Sequence, residues 1–330
     1  MDDKGYVMGG MAFLLIIPAL ILANILASAI MTDEVHKIPF KSDKLHELSG
    51  DVESNIPLIT LEILNETSNT VSITGEPVPN SKLIIKSRIQ TKIDETYLGY
   101  QRETGINMTC KINSVDNSKD PYKVCVNSTL YANYHEGHIA RNMSQDVQFA
   151  SSDSTDSSPC IKDPLPFIKM KGYGSLKTEG DKIYYGLALS NYLKSKGIEN
   201  STAYDNASSP LYFKKCPYDP YHSHGDSNSY LTLKNCIDNG YYHLSAAGPC
   251  IFCRFEGKSV CNHTGLETFV VPGISNLSRD YAPCSVDHII FGESHSEIYL
   301  GKLLSYDSST PQCGIFLDKG HRDKYGLPND

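Results

Sequence analysis

The sequence predicts an α+β ectodomain with antiparallel sheet, disulfide-rich and carried behind one N-terminal transmembrane helix. Three observations predict it. An uncharged apolar run opens the chain, from Gly5 to Met31. Ten cysteines and eight Asn-x-Ser/Thr sequons follow that run and none precedes it. Helical and strand-like apolar patterns then share the remainder, with Tyr, Ser and Asn abundant and Trp absent. The 330 residues can hold one large or two modest domains. A net charge of −8 excludes the basic footprint of a nucleic-acid binder.

The first element is the anchor, residues 1–31. A helix needs roughly 20 apolar residues to cross a bilayer, and the run exceeds that. Lys4 precedes it, and Asp33 and Glu34 follow, which orients the N-terminus to the cytoplasm and the bulk of the chain outward. The run is too long for an ordinary signal-peptide core, so retention is expected over cleavage near Ala27-Ser28-Ala29.

Residues 32–150 form the next expected region. Pro39 and Pro57 bracket a short helix near 43–54, and Leu58–Leu64 and Val71–Thr74 read as strands. Ile85, Ile89, Ile93 and Tyr97 then recur every fourth residue after Asn80 and Ser81, which predicts an amphipathic helix laid on a sheet. Residues 108–149 read as β-rich. Residues 151–159, SSDSTDSSP, contain nothing to bury and predict a linker or exposed loop. Residues 160–330 are a Cys-rich C-terminal domain. It holds a second helix from Asp181 through Ile183, Leu187, Leu189 and Leu193 to Gly197, with strands at 268–271, 287–291 and 314–317.

An outward-facing domain lies in an oxidising space, where disulfides persist. Cys110, Cys125, Cys160, Cys216, Cys236, Cys250, Cys253, Cys261, Cys284 and Cys313 therefore read as up to five bridges. Connectivity stays open, except that Cys110 and Cys125 are expected to pair across a turn-rich stretch. Asn65, Asn107, Asn127, Asn142, Asn200, Asn206, Asn262 and Asn276 are the glycosylation candidates.

Two constellations have metal-ligand chemistry. Cys250, Cys253, Cys261 and His263 are zinc-type donors, but the second half is closely spaced, and disulfides are the preferred reading. The CxxC is not expected to be a redox motif, since no strand is read before it. His222-Ser-His224-Gly-Asp226 resembles the His-x-His-x-Asp ligand motif of metallo-β-lactamase-fold hydrolases, which implies metal-activated water. Ser227 stands where that family has a further His, and the residues also read as a solvated loop tip. Asp287 and His288, adjacent on an expected strand, would face opposite sides. Glu293, His295, His243, His321 and Asp318 add further titratable groups. The chain has no Gly-x-Ser-x-Gly elbow, Walker loop or dinucleotide fingerprint.

Lys4-Gly5 before Tyr6 and the long apolar helix resemble the class III signal of archaeal type IV pilin-like proteins. That resemblance implies processing between Gly5 and Tyr6 and assembly with other copies, although Gly10 stands where pilins commonly carry Glu. The blocks SSPLYFKKCPYDPY, LKNCIDNGYYH, GPCIFCRFEGK, GLETFVVP, PCSVDHIIFG and FLDKGHRDKYGLP resemble uncharacterised membrane-anchored surface proteins of methanogenic archaea. This implies a cell-surface setting and no catalytic role. The functional expectation is a structural or adhesive surface glycoprotein, with the membrane and other copies or surface components as partners. The competing expectation is a membrane-anchored, metal-dependent envelope hydrolase using His222, His224 and Asp226.

Overall fold

A stripe of Leu48, Val52, Ile56, Ile59, Ile63 and Val71, spaced by three, four or two such steps, runs along the first helix, α1 (Lys4–Thr74), and is buried. In this computed structural model the described residues are 4–134, 137–151, 161–198, 201–219, 229–272, 285–292, 302–304, 315–317 and 319–326, with α1 side chains described at 20–26 and from 46 onward. The strands expected at 58–64 and 71–74 are helical, and α1 runs through Pro39 and Pro57, the expected boundaries of a short helix. Among the described residues no helix is long and apolar enough to cross a membrane. Most side chains of the Gly5–Met31 run, including that of Tyr6, lie outside the described set.

Gly75, at φ 63°, ends α1 with its N–H on the Val71 carbonyl at 2.8 Å. The chain reverses through Pro77 and Pro79 into α2 (Ser81–Thr104). There the expected stripe of Ile85, Ile89, Ile93 and Tyr97 is buried. Lys92 on α2 pairs with Glu62 of α1 at 3.0 Å.

Three antiparallel strands follow in the order β1-β2-β3: Asn107–Asn117, Lys123–Tyr134 and Gly137–Gln148. Both helices lie on one face, where Met108, Cys110, Ile112, Val124, Val126, Leu130 and Ala132 are buried. Alternate residues face away, as a half-buried antiparallel sheet requires. A register shift between Ile112 and Ser114 preserves burial at Val115. The open edge of β1 is covered by Gln90, which accepts from Ile112 N–H at 2.7 Å and donates to the Cys110 carbonyl at 2.9 Å.

The expected linker at 151–159 falls almost wholly outside the described residues. The chain on either side of it shares one hydrophobic core: Ile161, Phe213, Tyr242, Ile251, Phe252 and Phe255 pack with residues of α1, α2 and β1–β3. The C-terminal region is built from short pieces around a second cluster that includes Leu165, Tyr185, Leu189, Leu193, Phe269 and Ile290. These pieces are α3 (Leu165–Met170), β4 (Lys177–Glu179), β5 (Lys182–Tyr184), α4 (Ala188–Ser195), β6 (Ser208–Pro210), α5 (Ser229–Asn239), β7 (His243–Ser245), α6 (Ile251–Phe255), β8 (Gly265–Glu267), β9 (Phe269–Val270), β10 (Ser285–Val286), α7 (Asp287–Ile290), β11 (Lys302–Leu304), β12 (Ile315–Leu317) and α8 (Lys319–Lys324). The sheets they form are antiparallel, of two or three strands. The helix expected from Asp181 begins only at Ala188, because Ile183 belongs to β5. The strands expected at 268–271 and 314–317 are present as β9 and β12, whereas 287–291 opens as the helical turn α7.

Candidate metal centre

Arg254, the residue after Cys253, fixes the frame of this region. Its side chain is fully buried, and every polar group of the guanidinium is engaged. Nη1 meets Asp163 at 2.6 Å and Nη2 meets Asp287 at 2.8 Å. Nη2 also donates to the Leu266 carbonyl at 2.6 Å, and Nε donates to that of Pro249 at 3.2 Å. Phe213 and Tyr242 place their rings against it, and the Tyr242 hydroxyl donates to Asp163 at 2.9 Å. Burial pushes the Asp163 carboxyl above its ordinary range, against the pull of Arg254. Two carboxylates and one guanidinium, fully hydrogen-bonded, make a structural clamp between distant segments.

Two thiol clusters connect to this clamp, one through Tyr242 and one through Cys250. In the first, Cys216, Cys236 and His243 are all buried, and the two sulfurs are in hydrogen-bond contact at 3.5 Å without a disulfide. The Cys216 amide donates to the Tyr242 carbonyl at 3.0 Å, so the cluster hangs directly from the clamp.

In the second, Cys250, Cys253, Cys261 and His263 bring four donor atoms within 4.8 Å of one another. Cys250 precedes α6, and Cys253 lies one turn along it. The His263 Nδ1 is 3.6 Å from the Cys250 sulfur and 3.9 Å from that of Cys253. The Cys250 amide donates to the Cys261 sulfur at 3.3 Å. The thiols of Cys250 and Cys253 donate toward Cys261 and hold its pKa well below the ordinary thiol range. Close backbone contact shapes this knuckle. A Cβ on Gly265 would lie 2.1 Å from the Gly248 carbonyl oxygen, and one on Gly248 would lie 2.3 Å from that of Leu266. The knuckle is tied to the rest of the fold: Val78 N–H donates to the Phe255 carbonyl at 2.8 Å, and Ser81 Oγ donates to that of Phe252 at 3.0 Å.

A third cluster gathers His288 and His321 around Glu267, a convergence not legible in the sequence. Glu267 is fully buried, with Oε1 accepting from Tyr325 Oη at 2.6 Å and Lys324 Nζ at 2.5 Å. Its Oε2 lies 3.6 Å from both His288 Nδ1 and His321 Nε2. Burial would raise the Glu267 pKa, but hydrogen bonding with His321 and the charges of Lys324 and the two histidines outweigh it and hold the carboxyl well below its ordinary range. Burial also lowers the pKa of His288, against the pull of Glu267. The two imidazoles and one carboxylate are ligand types that can hold a divalent metal. The sequence offers His288 and His321 only as separate titratable groups, and Glu267 only as a charged residue inside the apolar run GLETFVV. Asp287 and His288 do not alternate across a strand: within α7 one reaches Arg254 and the other faces Glu267.

The remaining sequence candidates divide as follows. His222, His224 and Asp226 lie outside the described residues, as do Cys160, Cys284, Cys313, Asn200 and Asn276. None of the seven described cysteines is in a disulfide. The expected Cys110–Cys125 pair is not brought together. Cys110 stands opposite Leu130 and Cys125 opposite Asp116, five positions along the ladder and on opposite faces. Burial beneath the helices pushes the Cys110 thiol up to about 11. Asn107, Asn142, Asn206 and Asn262 are exposed, and Asn65 and Asn127 are half-buried. Asn107, Asn127 and Asn142 lie on the sheet face turned away from α1 and α2. No family model, curated protein or solved structure matches the chain.

Proposed function

We propose that the chain is a surface subunit with a structural or adhesive role, held in the membrane by the N-terminal part of α1 and presenting the remainder outside the cell. The observation that carries this reading is the exposure of Leu20, Ile21, Leu22, Ile25 and Leu26, each 54–61% accessible. At 100° per residue these five positions spread around most of the helix, so a single packed face cannot cover them. Hydrocarbon can. The same helix continues without interruption to Leu48, where burial against the sheet begins among the described residues.

The outer sheet face supports an exterior setting. It is polar, with Asn113, Thr129 and Asn142 linked side chain to side chain across three strands, and it carries three of the sequons. Cys216 and Cys236 support it as well, since oxidation would close one buried bridge between segments 20 residues apart. The pilin-like reading of Lys4-Gly5-Tyr6 adds assembly through the same helix.

The test is fractionation of the full chain. It is expected in the membrane fraction after alkaline carbonate washing, with external protease digesting residues beyond α1. Deletion of residues 1–31 is expected to release it. Recovery of the full chain in the soluble fraction overturns the reading. Intact-mass measurement separates the two forms of it: a mature N-terminus at Tyr6 supports filament assembly, and an intact leader removes that step.

A further inference from the structure

Any bridge formed among Cys250, Cys253 and Cys261 leaves a third thiol beside it, together with an imidazole that a disulfide does not use. Those four groups are the full donor set of a closed tetrahedral site. We infer that Cys250, Cys253, Cys261 and His263 bind a structural zinc ion that locks the knuckle between α6 and β8.

The distances fit. With Zn–S near 2.3 Å and Zn–N near 2.05 Å, a tetrahedron places sulfur and nitrogen about 3.6 Å apart. The Cys250 and Cys253 sulfurs lie 3.6 and 3.9 Å from His263 Nδ1. Hydrogen bonds to the ligands orient them in such a shell, and the Cys250 amide already donates to the Cys261 sulfur. Access is provided by a surface depression that Cys253, Cys261 and His263 line together with Ala247, Lys258 and Val260. Three soft thiolates with one imidazole select zinc over magnesium or calcium, which take oxygen shells. A full set of four protein ligands leaves no open position, so the ion stabilises the fold and activates no water. The ion joins both ends of the segment 250–263 and secures α6, whose carbonyls receive Val78 and Ser81 at the α1–α2 turn.

The experiment uses the full chain purified in mild detergent without chelator. Zinc is measured by elemental analysis and the ligand field by cobalt substitution. Cys261→Ala is expected to lose one zinc equivalent per chain relative to the parent, and Cys216→Ser is expected to lose none. Because Cys261→Ala can also fail by misfolding, His263→Cys provides the second arm. It keeps four soft ligands, and it is expected to retain zinc while the thiolate-to-cobalt charge-transfer band grows. Unchanged zinc in Cys261→Ala overturns the inference, as does a cobalt spectrum in His263→Cys identical to the parent's. Peptide mapping after alkylation that places any of the three cysteines in a disulfide overturns it too. Each of these results leaves the membrane fractionation untouched, so the site and the surface role fail separately.

Discussion

The two thiol clusters connected to the Arg254 clamp are built from similar residues and differ in parity and burial. Cys216 and Cys236 are an even pair, their sulfurs 3.5 Å apart, shut inside the core with His243. Cys250, Cys253 and Cys261 are odd in number, share an imidazole, and border the surface. An even buried pair can be completed by oxidation alone. An odd set with a fourth donor has, on the inference above, an ion to complete it. On that inference residue type does not decide between bridge and ligand, and the number of donors the backbone gathers at one point does.

Arg254 offers the largest disturbance of that comparison, because its clamp contacts Tyr242 and Cys250, one neighbour of each cluster. Arg254→Ala leaves Asp163 and Asp287 buried without their cation and is expected to cost about 3–5 kcal/mol in denaturant unfolding. The next effect separates the clusters. Closing the Cys216–Cys236 bridge is expected to add about 2–4 kcal/mol. Reductant should lower the Tm of the parent but not of Cys216→Ser, whereas chelator should lower both and leave Cys261→Ser unaffected. Equal responses of Cys216→Ser and Cys261→Ser to the two reagents would erase the distinction.

Acid gives a smaller, graded effect through the third cluster. The folded-state pKa of Glu267 is depressed, so its contribution is present above the unfolded value of about 4.5 and is lost as pH falls toward the folded one. His288, with its pKa also lowered, adds in the same direction below about 6.5, because the unfolded chain takes up that proton first. Glu267→Gln is expected to flatten the acid limb of a stability-versus-pH curve while leaving both thiol responses in place. The smallest expected change is at Gln90, far from either cluster in sequence. Gln90→Ala strands the Ile112 N–H at the sheet edge for about 1–2 kcal/mol, measured by thermal unfolding, and is expected to respond to neither reductant nor chelator.

Legibility in the sequence followed the length of each periodic signal. The stripe from Ile85 to Tyr97 spans three turns of helix, and the structure buries all four residues. Leu58–Leu64 alternates over too short a window to separate a strand from a helix. The deciding spacing only emerges between Leu48 and Val71, across the proline that seemed to interrupt it. The β1–β3 region is legible as strand-rich, but its register is not, so proximity in the chain suggests a Cys110–Cys125 pair that the strand faces forbid. The CxxC was equally visible. Its joining to Cys261 and His263 depends on the Gly248–Gly265 crossing, a backbone approach with no periodic trace. Arg254, Asp163 and Asp287 come from segments up to 124 positions apart, and only the charges embedded in apolar runs marked them.

α1 enters the folded region as one unbroken rod, with no linker between its apolar start and the sheet it supports. If its apolar start is held in a membrane as proposed, sideways drag on the outer face would reach that anchor as a bending moment, the rod acting as a lever of about 1.5 Å per residue. The Leu48–Val71 stripe is the fulcrum, and a flexible tether in its place would swivel and transmit tension alone.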